Sequence, residues 1–396
     1  MHYSTDVIVV GGGVVGLSAA IAMRQLGFSV ILLDAGALTV DVVSSKSRVY
    51  AINQASQDLF KELGVWDLMD KAHFSPYNHM HVWDAVNDAH IDFDSRMVGA
   101  DRLGFMLEES LIKQALLQRA AMLEVTLIPA SKVSGVELTA DDIRVMDGVN
   151  CWTAELLIVA DGALSATREL LKVPVTTWSY HQHSIVATVH SEKSHQRTAY
   201  QVFHSDGPLA FLPMVDAHES SIVWSTLPTR AERLMSLSDD AFGAELTKEF
   251  SEKLGNTHVI SKRYQFPLQM RHVQRYSGCR WLLMGDAAHT IHPLAGLGLN
   301  LGLADLSTWL ATVNRDKRDM WSVRNLGHYQ RQRKHALWQT IALMEGLHVL
   351  FTNPLPPVAA LRGFGLNICN RLLPLKRLLI EHAAGTRAMT VLNARR

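Results

Sequence analysis

A buried strand that runs through a glycine turn into a helix, a middle section of strand-like runs, and a tail of helical periodicity together predict an α/β fold. The expected architecture is a Rossmann-like nucleotide-binding domain with an inserted β-rich domain and a helical C-terminal region. At 396 residues the chain has room for two or three domains of roughly 150 residues each.

Asp6–Val10 reads as a buried strand, Gly11–Gly16 as a turn, Leu17–Leu26 as a helix stopped by Gly27, and Val30–Leu33 as a second strand, which makes a βαβ opening. Tyr50–Met69 has helical spacing. Met80–Trp83 and Ala89–Phe93 read as paired strands around a polar turn, and Glu108–Met122 reads as a helix. Leu156–Val159 is a further apolar strand, ending at Ala160-Asp161-Gly162. From Trp178 to Phe266 the pattern turns strand-like, with runs at His183–Val189, Tyr200–Phe203, Leu209–Leu212 and Ser221–Trp224. The first pattern then resumes with Trp281–Met284 and a helix after Gly298. These shifts assign 1–72, 99–177 and 268–330 to the nucleotide-binding domain, 73–98 and 178–267 to the insert, and 331–396 to the helical region.

Hydrophobic residues make up 48% and charged residues 19%, enough to fill a large core and unlike a disordered chain. Lys and Arg number 38, as do Asp and Glu, so no global basic field exists and no nucleic-acid partner is expected. Cys151, Cys279 and Cys369 lie far apart without CxxC spacing, which speaks against a disulfide framework and fits a reducing cytoplasm. The N-terminus lacks the basic-then-apolar pattern of a secretory signal. His79 with His81, His181 with His183, and His289 with His292 each offer two ligands with no evident third, so no metal is expected. No GxSxG or HExxH motif supports a hydrolase.

Gly11-Gly12-Gly13-Val14-Val15-Gly16 fits GxGxxG between a strand and a helix. Gly11 permits the turn, Gly13 lets a pyrophosphate approach the backbone, and Gly16 allows close helix packing. The helix N-terminus offers amides and a positive dipole end to phosphates. Asp34 ends the second strand 23 residues beyond Gly11, where a carboxylate accepts ribose hydroxyls. These features suit NAD and FAD alike. The second motif separates them: Gly285-Asp286-Ala287-Ala288-His289 follows a strand, and Pro293, Gly296, Gly298, Leu299 and Asn300 follow directly. The Asp286 carboxylate suits sugar-chain hydroxyls, and a glycine-rich helix start approaches a flat ring and stabilises negative charge on it, which is what a flavin needs. A third element, Ala160-Asp161-Gly162 to Arg168, follows another buried strand, with Asp161 and Arg168 as a candidate pair bracing the loop.

Together the three elements resemble the class A flavoprotein aromatic hydroxylases, the para-hydroxybenzoate hydroxylase-like group, in which the Asp-Gly element around Asp161 is associated with FAD and NAD(P)H. Arg48, in Ser47-Arg48-Val49-Tyr50, resembles that family's arginine beside the flavin diphosphate. Leu103–Glu108, Gly207–Pro213, Gly285–Asp305, Tyr329-Gln330-Arg331-Gln332-Arg333 and Asn370–Arg377 are similar to its ubiquinone-biosynthesis branch, and the likeness covers nearly the whole chain. Leu297 is a departure, since many relatives carry glutamine there.

The resemblance implies a monooxygenase in which NAD(P)H reduces FAD and one atom of O2 goes to the ring of a prenylated phenol or quinol. The flavin carries the chemistry, with Pro293 and His289 as candidate residues beside it. Substrate is expected between flavin and insert. Phe203, Leu209, Phe211 and Trp224 are candidates for its apolar wall or, equally, for strand residues facing a core. A hydroxylase of a soluble aromatic compound and a non-catalytic FAD-stabilised assembly subunit stay open as alternatives.

Beyond Gln330, the residues Leu337, Ile341, Met344, Leu347 and Phe351 form one apolar stripe, and after Pro374 the residues Leu375, Leu378 and Leu379 share a face while Lys376 and Arg377 point elsewhere. From Arg362 to Arg396 there are seven Lys or Arg and one Glu. This predicts a tail that meets the inner face of a membrane or other ubiquinone-biosynthesis proteins and contributes little to FAD binding. Packing of both stripes onto the core is the alternative.

Overall fold

The computed structural model describes residues 2–40, 48–87, 89–139, 141–291, 298–313, 321–353 and 355–385. Its first sheet is built around the strand His2–Val10, which pairs in parallel with Cys151–Val159 on one side and Val30–Leu33 on the other. Trp281–Leu283 and Thr126–Ile128 extend the sheet outward, also in parallel. Val7–Val10, Val30–Leu33 and Leu156–Val159 are buried throughout, as strands covered on both faces must be. Among the covering helices, Val14–Gln25 packs against both Glu109–Met122 and Gly298–Val313.

The stretch read as helical from Tyr50 begins as a strand, Val49–Ile52, and its helix starts only at Gln54. β-Branched and aromatic side chains favour pairing with Gly104–Glu108 in a three-stranded sheet. Asn53 then accepts a bond from the Ser56 amide and so starts the helix.

The second sheet has nine strands among the described residues, including Val175–Ser191, Thr198–His204, Gly207–Pro213, Glu219–Thr226 and His79–Asp84. Two helices, Pro228–Ser236 and Asp239–Glu249, cover its back and were not expected in this strand-like region. Their signals were present: Pro228 in a first helical turn, and Ser238 capping the Ala241 amide ahead of two acidic residues. Leu209, Phe211 and Trp224 are fully buried against this cover, with Phe211 stacked on Phe250 at 3.8 Å, so they are core residues and not a substrate wall. Phe203 points to the opposite face, where it stacks at 4.0 Å on Phe351.

Phe351 belongs to the long helix Val323–Thr352, which precedes Pro356–Arg371 and Leu373–Ala383. Leu337, Ile341, Met344 and Phe351 are all buried, so the first tail stripe packs on the body of the protein and does not meet a membrane. An ion pair between Arg362 and Asp84 fastens the next helix. Arg362 Nε donates to Asp84 Oδ2 at 2.6 Å and Nη2 to Oδ1 at 3.0 Å, with both side chains 1% exposed. Arg362 Nη1 also donates to the carbonyls of Leu350 and Phe351. Lys376 is buried as well and donates to Asn370 Oδ1 at 2.8 Å, while Arg377 donates to the Met97 carbonyl. No helix among the described residues is long and apolar enough to cross a membrane.

Removing one partner of a buried pair strands the other charge. Arg362→Leu should therefore destabilise the protein by about 3–5 kcal/mol in denaturant unfolding, and adding Asp84→Leu should recover much of that loss. Equal stability of Arg362→Leu and the parent would show that the pair does not hold the tail.

Candidate functional site

The first strand ends at Gly11, whose φ of +112° favours glycine, and a Cβ there would lie 2.3 Å from the Ala160 carbonyl oxygen. A Cβ on Gly16 would come within 1.9 Å of the Gly11 oxygen. These two glycines let strand, turn and helix close on one another. Gly13 differs, because a Cβ there would meet no protein atom within 4 Å. It caps the helix Val14–Gln25 without a side-chain bond, so the first-turn amides border open space. The Asp34 carboxylate grips this turn, accepting from the Gly12 amide and from the Gly36 amide at 2.7 Å.

Asp286 lies on the neighbouring loop. The preceding Gly285 has φ +59°, and its amide donates to Asp305 Oδ2 at 2.8 Å. The His289 imidazole bonds the same oxygen at 2.8 Å, and Arg333 Nε donates to Asp305 Oδ1. Asp305 is fully buried. Burial alone would raise its pKa, but His289 and Arg333 outweigh that and hold it below the usual carboxylate range. Neither Asp305 nor Arg333 stood out as a site residue in the sequence. His289 is 2% exposed with Nε2 committed to Asp305, which makes it part of the loop's support.

The long helix adds two further ties, since Tyr329 Oη donates to the Leu283 carbonyl at 2.7 Å and Gln330 Oε1 accepts from the Tyr276 amide at 2.9 Å. The expected tail, 331–396, thus shares one helix with these ties, and its own Arg333 reaches Asp305. A Cβ on Gly302 would lie 2.8 Å from Val15 Cγ2 and 3.1 Å from Gly285 Cα, so the two helix starts and the Asp286 loop converge on Val15.

Gly298 opens the helix that carries Asp305, and Leu299 packs half-buried against the core. The Asn300 side chain ties the helix start to another segment: its Nδ2 donates to the Ala51 carbonyl at 2.7 Å, while Oδ1 accepts from Ser56 Oγ at 2.8 Å and from the Asn53 amide. It thereby fixes the strand Val49–Ile52, which carries Tyr50 next to Arg48. Arg48 is exposed, pairs with Glu109 at 3.4 Å, and has its pKa raised chiefly by Tyr50. Asp286 has solvent access yet is crowded by protein, and that crowding raises its pKa. Pro293, Gly296 and Leu297 lie outside the described residues.

Asp161 and Arg168 are not bonded to each other. Asp161 Oδ2 accepts from the Thr167 amide at 3.2 Å, while Arg168 donates to the carbonyls of Ala287 at 3.0 Å and Ala163 at 3.2 Å, joining this loop to that of Asp286. Asp161 Oδ1 is buried with no hydrogen-bond partner among the described residues, as are Thr167 Oγ1 and Arg168 Nε. No group of three or more His, Cys, Asp or Glu among the described residues is arranged to hold a metal.

The open space at Gly13, the orphaned Asp161 oxygen and the crowded, accessible Asp286 suit a dinucleotide laid across the three loops. Gly13→Val should keep the fold and melting temperature of the cofactor-free protein but lose FAD. Gly16→Val should instead fail to fold, given the 1.9 Å approach to the Gly11 oxygen. Parent-like FAD content in purified, folded Gly13→Val would contradict this division.

An FAD binding domain family matches residues 4–343. The chain is 35% identical to the 3-demethoxyubiquinol 3-hydroxylase of Escherichia coli (strain K12), over 96% of this chain and 98% of that protein. It is 33% identical to the ubiquinone hydroxylase UbiL of Rhodospirillum rubrum, over 96% and 90% of the two chains. The crystal structure of p-nitrophenol 4-monooxygenase PnpA from Pseudomonas putida DLL-E4 shares the fold, with a TM-score of 0.80, 17% identity and full coverage of both chains. The chain belongs to the FAD-binding class A flavoprotein monooxygenase family, in its ubiquinone-biosynthesis hydroxylase branch.

Proposed function

We propose that this protein is an FAD-dependent monooxygenase that uses NAD(P)H and O2 to hydroxylate the aromatic ring of a prenylated ubiquinone precursor. The observation that carries the reading is similarity over 96% of this chain, at 35% identity, to a 3-demethoxyubiquinol 3-hydroxylase. Bound FAD would supply electron transfer from the nicotinamide and activation of O2. The chain supplies binding and placement. The amides after Gly13 and the cation of Arg48 would hold the diphosphate, Asp34 and Asp286 would accept the sugar hydroxyls, and the helix start at Gly298 would stabilise negative charge on the ring system.

Substrate belongs on the front of the sheet formed by the insert, 73–98 and 178–267. Met80, Ala199 and Leu212 there pack against Val49, Ala51 and Met106 of the three-stranded sheet, so this face borders the strand that follows Arg48. In the next row, Val82, Gln201, Ala210, Val223 and Val186 are register neighbours, none of them charged. Val186, Ala210, Leu212 and Val223 are only half-buried although they sit in mid-strand, which leaves an open apolar floor. Such a floor suits a neutral phenol and tail better than a carboxylated aromatic, for which it offers no cation. Gln201 is 6% exposed and makes no side-chain hydrogen bond among the described residues, so its amide is the group to orient a ring oxygen.

With a prenylated phenol, NAD(P)H and labelled O2, the product should carry one gas-derived oxygen atom. Label arriving only from water would contradict the reading. Gln201→Leu should keep FAD and lower kcat/KM by about tenfold, the effect of one lost orienting hydrogen bond. An unchanged kcat/KM would remove Gln201 from the substrate site.

A further inference from the structure

We infer that the outer face of the two C-terminal helices docks on an anionic lipid surface. Nine of the twenty large hydrophobic side chains exposed among the described residues fall between Trp338 and Leu378. On Pro356–Arg371 and its cap they form a row four residues apart: Phe364 is 65% exposed, Ile368 38% and Leu372 49%. The other side of this helix is occupied, with Arg362 buried on Asp84 and with Leu366 and Cys369 packed beside Phe203 and Phe351. The helix is therefore held firmly by one side while a continuous apolar row faces outward. The next helix continues the pattern with Leu373 and Leu378 exposed and Ile380 buried.

The charges among these side chains identify the occupant. Arg371 and Arg377 are exposed on the same segment, and the sequence continues with Arg387, Arg395 and Arg396. Glu381 is the one acidic residue from Arg362 to Arg396. Exposed apolar rows interleaved with cations match an anionic bilayer, in which the rows enter the acyl boundary and the guanidiniums meet phosphates. The inference rests on the reading that the substrate carries a prenyl tail, because such a molecule partitions into a bilayer and must be collected there. Arg362 and Lys376 take no part in this attraction, since both are buried.

The test is co-sedimentation of the full chain, loaded with FAD, with phosphatidylcholine vesicles with and without phosphatidylglycerol. The parent should bind the mixed vesicles better than the neutral ones, and added salt should weaken binding. The triple variant Phe364→Ser, Ile368→Ser, Leu372→Ser should lose about tenfold or more in vesicle affinity. It should keep parent FAD content, melting temperature and turnover of a short-chain, water-soluble phenol. If the triple variant does not fold, Arg371→Glu serves, because its exposed side chain is opposed by no packing; its affinity should fall severalfold. The inference is overturned if the parent ignores phosphatidylglycerol vesicles, or if the folded variants bind as the parent does. It is equally overturned if the parent instead self-associates in light scattering and the substitutions make it monomeric, which would give the face to a second copy. Failure of the parent to turn over the short-chain phenol strikes the hydroxylase reading instead and leaves the vesicle result standing.

Discussion

A fully buried carboxylate, that of Asp305, holds the loops of the candidate site together. An unpaired charge in that position would be very costly, so the Gly285 amide, His289 and Arg333 must all be present around it at once. Those three donors come from the loop of Asp286 and from the long helix that starts the tail. Asp305 itself lies on the helix whose first turn carries Gly298 and Asn300. One side chain thus sets the relative positions of three segments, and Val15, wedged at Gly285 and Gly302, brings the first helix into register with them.

The parts of the site that were legible in the sequence are the local ones. A glycine turn between a strand and a helix, or a carboxylate two residues past a strand, has a chemical meaning that depends only on near neighbours. The supports were not legible, because each is a contact between distant segments: Arg333 reaches Asp305 across 28 residues and Asn300 reaches the Ala51 carbonyl across 249. Their residue types stood inside recognised motifs, but nothing in the spacing said which side chain they would meet. The same limit applies to Trp224 and Phe203. Strand periodicity shows that they face one side or the other, and only the pairing register puts Trp224 against the back helices and Phe203 against Phe351.

The tail shows how one periodicity supports two outcomes. Leu337, Ile341 and Met344 repeat as an apolar stripe whose burial is decided by what lies opposite, and here it is the body of the protein. Arg362 reads in sequence as surface charge, yet it is consumed by Asp84 in the interior. Anchoring of the inner side leaves Phe364 and Ile368 outward, so a helical region bonded to the strand before the Asp286 loop at one end carries an apolar exterior at the other. This arrangement suits an enzyme whose substrate has a polar reacting ring and an apolar tail.

The central claim, that Asp305 holds the Asp286 loop in its binding form, is tested most directly by the FAD dissociation constant of Asp305→Asn, measured by flavin fluorescence on protein whose circular dichroism matches the parent. Asparagine keeps the shape and removes the charge that His289 and Arg333 surround. The account predicts FAD binding weakened by about tenfold or more in a chain that remains folded. Parent affinity in folded Asp305→Asn would contradict it.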